Sequence, residues 1–198
     1  MAKQDATTGA WRVRKAQMTY ARIADVGMRL FLEAGFDETT VDAIAAASDI
    51  SRRTFFHYFE SKEAVVDTWA DELNDSVRSA IAAQPKATRP WEATRKALSE
   101  LAVRFETAEA VAIDELMAST TTLQLRKQAS YARQEQVVYV ALTQKYGDHH
   151  ERQLRLVAMV AVGCLRVAME RWRAADRPRA PLAYVEEAFT SVRDSIAH

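Results

Sequence analysis

Residues Thr39 to Lys62 spell out two short helices joined by a tight corner, and this pair constrains the fold more than any other part of the chain. The stretch reads Thr39-Thr40-Val41-Asp42-Ala43-Ile44-Ala45-Ala46-Ala47-Ser48-Asp49-Ile50-Ser51-Arg52-Arg53-Thr54-Phe55-Phe56-His57-Tyr58-Phe59-Glu60-Ser61-Lys62. Thr40 and Ser51 each stand where a hydroxyl can accept a first-turn amide that has no partner within its helix. Val41, Ile44 and Ala45 recur at helical spacing and are expected to face a core. Ala45, Ala46 and Ala47 are small enough for a second helix to cross closely. Ile50 is expected to plug the corner, and Ser48-Asp49-Ile50 has the length of a helix-turn-helix connection.

The second helix carries Arg52 and Arg53 on its first turn. In a helix-turn-helix that end reaches base edges in the major groove, and Arg is the commonest partner of guanine. Thr54, His57 and Tyr58 add polar tips, while Phe55 and Phe59, four residues apart, share the face that holds the helix to its domain. Ser61-Lys62-Glu63 opens a further helix, with Lys62 placed to meet a DNA phosphate. Caps and periodicity alone are equally compatible with an ordinary pair of surface helices.

Further residues extend the pattern: Ile23-Ala24 and Leu30-Phe31-Leu32-Glu33-Ala34-Gly35-Phe36 before it, and Tyr58-Phe59 with Ser61-Lys62-Glu63 at its end. Together with Thr39-Thr40-Val41, Ile44-Ala45, Ile50-Ser51 and Thr54-Phe55-Phe56 they cover about a quarter of the chain. This segment resembles the DNA-binding domain of the tetracycline-repressor (TetR) family of bacterial transcriptional regulators. The resemblance implies a homodimer on a palindromic duplex, usually a repressor, released when a small molecule enters the C-terminal domain. On that reading Arg52, Arg53 and Thr54 read bases, Thr40, His57, Tyr58 and Lys62 hold phosphates, and Ser51, the cap of the second helix, belongs to the same DNA-binding surface. Two residues depart from the family pattern. Asp49 stands where the family has Gly, and Asp tolerates the left-handed backbone the corner needs. Phe56 stands where the family has a phosphate-touching Tyr; His57, Tyr58 or Lys62 would have to compensate.

Apolar residues make up 48% of the 198, charged residues 27%, and Gly and Pro number only 5 and 4. Such a composition predicts an all-α protein, and the apolar stripes along the chain mark about nine helices. The formal net charge of zero argues against a surface that wraps nucleic acid everywhere, not against a local basic patch. The lone Cys164 excludes an internal disulfide framework and, within an apolar stretch, is expected to be a buried, inert thiol. No leader is expected at the polar N-terminus, and no apolar run approaches the roughly 18 residues needed to cross a bilayer. A cytoplasmic protein without a membrane partner or cofactor is the expectation.

Three segments are predicted. Residues 1–17 form a flexible basic arm, disordered to Gly9, whose Trp11-Arg12-Val13-Arg14-Lys15 either tracks DNA or is a solvated tail. Residues 18–62 form the helix-turn-helix domain. It begins with a helix from Met18 to Ala34, stopped by Gly35, and its core holds Ile23, Leu30, Phe31, Phe36, Val41, Ile44, Phe55 and Phe59. Residues 63–198 form a ligand-binding and dimerisation domain, entered by a linking helix over 63–84 that the resemblance casts as a pendulum.

Pro85 to Pro90 marks a loop, and helices follow to a last pair split by Pro178 and Pro181. The apolar stripe of that pair is too wide for one face, so Leu154, Val157, Ala161, Leu165, Ala168, Trp172, Val185, Phe189 and Val192 are expected at a dimer interface, with Ile196 continuing the stripe. Trp69, Phe105, Met117, Tyr131 and Tyr139 are expected to line a pocket for an apolar or amphipathic effector. Asp114-Glu115 is expected on a solvated face, and His149-His150-Glu151 lacks a third metal ligand. The alternatives to an effector-released repressor are a constitutive or activating DNA-binding protein and, remotely, a helical enzyme or binding protein. The enzyme would need a polar cluster in the C-terminal half, which the sequence does not display.

Overall fold

The computed structural model describes residues 2–177 and 179–196. The expectations for Met1, for Pro178 as a separator and for the side chain of Ile196 fall outside the described residues, as do the side chains of residues 2–10. Among the described residues the chain forms nine α-helices, one 3-10 turn and no strand. The helices are α1 (Ala2–Ala34), α2 (Val41–Ala47), α3 (Arg52–Tyr58), α4 (Lys62–Ala83), α5 (Pro90–Val103), α6 (Ala108–Leu116), α7 (Thr121–Tyr146), α8 (Glu151–Ala174) and α9 (Pro181–Ile196).

The first helix corrects the reading of the N-terminus. It begins at Ala2, not near Met18, so the basic arm is helical. Residues 2–17 contain no Pro and are rich in Ala, Lys, Gln and Arg, which lose little freedom in a helix. Extending a helix from a packed segment costs far less than nucleating one. Trp11 is exposed, and the Lys15 ammonium lies over its ring at 5.1 Å, a contact between helical neighbours that gives Trp11 a local partner.

Two apolar cores follow. The first, in the head of the molecule, joins Ile23, Phe31, Phe36, Ile44, Phe55, Phe59, Val65 and Val66. Of the eight core residues expected from sequence, Leu30 and Val41 lie at its edge and the other six are buried. The second core fills the body, from Leu73, Val77 and Ile81 on α4 to Leu98, Leu142, Leu165, Trp172 and Phe189. α4 contributes to both cores, and its 22 residues make a rod of about 33 Å. α6 also enters both: Ile113 and Leu116 pack in the head and Ala110 in the body. Where α1 crosses α4 the approach is close, for a Cβ at Gly27 would lie 2.8 Å from Val65 Cγ1.

The body also corrects the expected dimer interface. Leu154, Ala161, Leu165, Ala168, Trp172, Val185 and Phe189 are all buried inside a single chain, against α5, α7 and each other. Only Val157 and Val192 stay half-buried at the rim. The wide stripe is two faces. One is spent on the chain's own core; the other, at Leu156, Met159, Val160 and Val167, is exposed beside Gly163, whose Cβ position meets nothing within 4 Å.

Candidate nucleic-acid interface and internal cavity

Each helix of the pair is started as its sequence dictates. Thr40 Oγ1 accepts the Ala43 amide at 3.1 Å, and Ser51 Oγ accepts the Thr54 amide at 3.0 Å. The corner closes with Ile50 N donating to Ala45 O at 3.0 Å and Asp49 N to Ala46 O at 3.1 Å, which is a Schellman motif. Its left-handed position is Asp49, at φ 50°, where a short polar side chain replaces the usual Gly at modest cost. Phe55 and Phe59 then hold α3 against the head, and Tyr20 stacks on Phe59 at 4.6 Å. The opposite face of α3 is left to solvent.

The two arginines are not equivalent. Arg52 Nη1 donates to Asp42 Oδ2 at 2.7 Å, and its guanidinium lies 5.4 Å from the centre of the Phe56 ring. It braces α3 against α2. Arg53 is exposed and forms no ion pair among the described residues. It shares a shallow concave face with Thr54, Phe56, His57 and Tyr58. Within that face the Thr54 hydroxyl is 2.8 Å from Ser51 Oγ, so part of its capacity is used by the cap. Phe56 presents 46% of its surface to solvent and offers an apolar edge where a hydroxyl was expected to be missing.

Lys62 is the clear departure from its expected role. Its ammonium donates to the carbonyls of Phe36, Thr39 and Asp37 at 2.6, 3.0 and 3.3 Å and sits 4.4 Å over the Phe36 ring. Three donors are all that a lysine has, and all three are directed at the loop between α1 and α2. Lys62 clasps that loop instead of facing outward. The sequence placed it correctly at the start of α4 but could not reveal which loop folds over it.

Between α4, α5, α6, α7 and α8 lies a cavity of about 60 Å³. Trp69, Phe105, Met117 and Tyr131 line it as expected, with Leu73, Leu101, Leu165 and Met169 completing an apolar wall. Tyr139 does not; it faces a separate depression, with Arg155 over its ring. The rest of the lining is polar, which the apolar periodicity does not predict. It carries Asn74, Asp114, Lys127, Ser130, Gln134 and Arg173. Asp114, expected in solvent, is 2% exposed, whereas Glu115 beside it is exposed. The carboxylate of Asp114 accepts from Lys127 Nζ at 2.6 Å, Arg173 Nη1 at 3.1 Å and Arg177 Nη2 at 3.3 Å. A polar cluster thus does exist inside the C-terminal half.

Arg177 reaches the cluster because α8 ends in a second Schellman motif, Arg177 N to Trp172 O at 3.0 Å and Asp176 N to Arg173 O at 3.1 Å. Both Asp176 and Arg177 are left-handed there, at φ 58° and 56°. Burial pulls the Lys127 ammonium below the ordinary lysine range, although Asp114 opposes that shift. Burial likewise pushes the Tyr131 phenol up, so it stays neutral. One sign of the polar wall was present in the sequence: Lys127, Ser130, Tyr131 and Gln134 recur at helical spacing. Asp114 and Arg173 come from distant elements and gave no such sign. Elsewhere Asp67 of α4 is bridged to both Arg126 and Arg133 of α7, tying the linking helix to the cavity wall. The one free cysteine among the described residues, Cys164, is buried, and burial raises its thiol.

A capped pair of helices, the second turned outward behind a left-handed corner, makes this a helix-turn-helix protein. The sequence model for bacterial regulatory proteins of the tetR family matches residues 23–68, from the last third of α1 into the first turns of α4. The HTH-type transcriptional regulator TcmR of Streptomyces glaucescens is 31% identical over 103 residues, 52% of this chain and 46% of that protein. The chain thus spans about half the length of this curated relative. Thermus thermophilus FadR, a TetR family transcriptional repressor solved in complex with lauroyl-CoA, has the same fold, with a TM-score of 0.58 over 86% of this chain and 91% of that one at 23% identity. A TetR-family transcriptional regulator from Streptomyces coelicolor gives 0.62 over 90% and 98% at 19% identity. Residues 23–68 are thus similar to the DNA-binding segment of the tetR family of bacterial regulatory proteins, and the chain as a whole shares the fold of solved regulators of that family. The matching family model and this curated relative are both described as regulators.

Proposed function

We propose that the protein is a homodimeric, sequence-specific DNA-binding repressor, active in the cytoplasm and released from a palindromic operator by a small molecule held in the body cavity. The observation that carries this reading is the division of labour on α3. One arginine is tied down and the next is free at the outward end of a helix whose other face is fully packed. Arg53 reads a base pair, while Arg52 braces α3 through Asp42 and Phe56. His57 and Tyr58 meet phosphates, and Thr40, whose oxygen already serves as a cap, keeps its own hydrogen to donate. The exposed ring of Phe56 suits a thymine methyl or a sugar.

The exposed face of α8, Leu156, Met159, Val160 and Val167, is the dimer seam, with Val157 and Val192 at its edge. A two-fold pairing there would present two reading helices to two half-sites. The lauroyl-CoA complex of FadR supports an effector role for the body of this fold. Selection from a randomised duplex library, followed by footprinting, tests the proposal. A palindrome with two half-sites about one helical turn apart is the expected product. Recovery of no preferred sequence at low salt would remove the function. Tight binding unaffected by any cavity ligand would favour a constitutive regulator.

A further inference from the structure

The cavity wall has one carboxylate facing two cations: Lys127 and Arg173 against Asp114, which leaves one positive charge. Behind them Arg177 divides its guanidinium between Asp114 and the exposed Glu115, and its Nε is buried without any partner. The amides of Asn74 and Gln134, both buried residues, also line the cavity. A buried wall with surplus cationic charge, an unpartnered guanidinium N–H behind it and amides along it is built for one more anion. The apolar part of the lining, with Trp69, Leu101 and Phe105, asks for an apolar body.

We infer that the effector is an amphiphilic monoanion, an apolar molecule bearing one carboxylate, and that its head group competes with Asp114 for Lys127 and Arg173. This rests on the effector-released reading above and gives the effector its class. Asp114 is then a resident stand-in for the ligand's acid. Its displacement matters because of where it sits. Asp114 lies on α6, whose neighbours Ile113 and Leu116 are packed in the core of the DNA-reading head. While Lys127 of α7 and Arg173 of α8 hold Asp114, they hold α6 to the body. An entering carboxylate takes those cations, and α6 keeps only Arg177 and the packing of Ala110 as ties to the body while its grip on the head is unchanged. Ligand and head thus share one side chain, which supplies the differential contact that coupling requires.

The test uses the full chain and two probe series: decanoate, decanamide and 1-decanol, and 2-naphthoate, 2-naphthamide and 2-naphthol. Thermal midpoints and amide hydrogen exchange over residues 108–116 are followed. At least one acid should bind at least about tenfold more tightly than its amide and alcohol, the low end for a charge-assisted hydrogen bond in a buried site, and should speed exchange in α6. Asp114→Asn should tighten acid binding by about the same factor and abolish the exchange response. Lys127→Gln should erase the preference for the acid and Lys127→Arg keep it, so the claim is testable even if the Asp114 variant fails to fold. Equal binding of acid and neutral analogue, no response to either acid, or weaker acid binding by Asp114→Asn each overturns it. Release of DNA by the neutral probes alone would refute the acid class yet keep the effector reading. Absence of DNA binding with acid selectivity intact would do the reverse.

Discussion

Replacing Lys62 by Met keeps the aliphatic stem over Phe36 and removes only the ammonium, so it isolates the clasp between α4 and the α1–α2 loop. The group donates to three carbonyls, two of them at 2.6 and 3.0 Å and the third at a weaker 3.3 Å. A hydrogen bond from a charged donor contributes about 1.5–3 kcal/mol, but the site is only half-buried and water can replace part of what is lost. The expected net loss is about 2–3 kcal/mol, close to one strong bond rather than three. For a chain of this size that lowers the unfolding midpoint by roughly 5–10 °C. Circular dichroism melts measure it. A parallel titration of a selected duplex at several salt concentrations measures the other possibility. A phosphate contact would lower the slope of log K against log salt by about one and leave the melt alone. A clasp lowers the melt and leaves the slope. An unchanged midpoint with a reduced slope would refute the structural argument.

Other substitutions probe separate links. Arg53→Ala should cost about 1–3 kcal/mol at one base pair and relax preference there, while Arg52→Ala should weaken binding to all sequences through looser α3 positioning; affinities across operator variants distinguish them. Val167→Glu on the exposed face of α8 should yield a folded monomer by sedimentation, whereas the same charge at Leu165, in the core, should unfold the chain. Gly27→Ala adds a methyl 2.8 Å from Val65 Cγ1. Overpacking of about 1–3 kcal/mol there outweighs the roughly 1 kcal/mol gain in helix propensity, so a lower melting midpoint is expected.

Local features were legible before any coordinates. The caps at Thr40 and Ser51, the left-handed Asp49 and the stop at Gly35 follow from single residues and their neighbours, and each appears where expected. Apolar periodicity marked the helices but not the partner of each face, so the α8 stripe was assigned to a second chain when most of it packs in its own. Long-range polar contacts were the least visible. Asp114 and Arg173 are 59 residues apart, and Lys62 and Phe36 are 26 apart. Nothing in local spacing marks such pairs, so a buried carboxylate read as a surface one. The N-terminal helix was missed for a different reason: residues 2–17 have helical preferences without an apolar stripe to announce them.

Because α4 and α6 each stand in both cores, the head rests on the body like a platform on two legs. Such a platform does not drift sideways when one leg yields; it tips about the other. If two chains pair through α8, mirrored tips add, and the gap between their reading ends changes by twice what either head moves. A shift too small to notice in one subunit would then be enough to lose the register of a duplex.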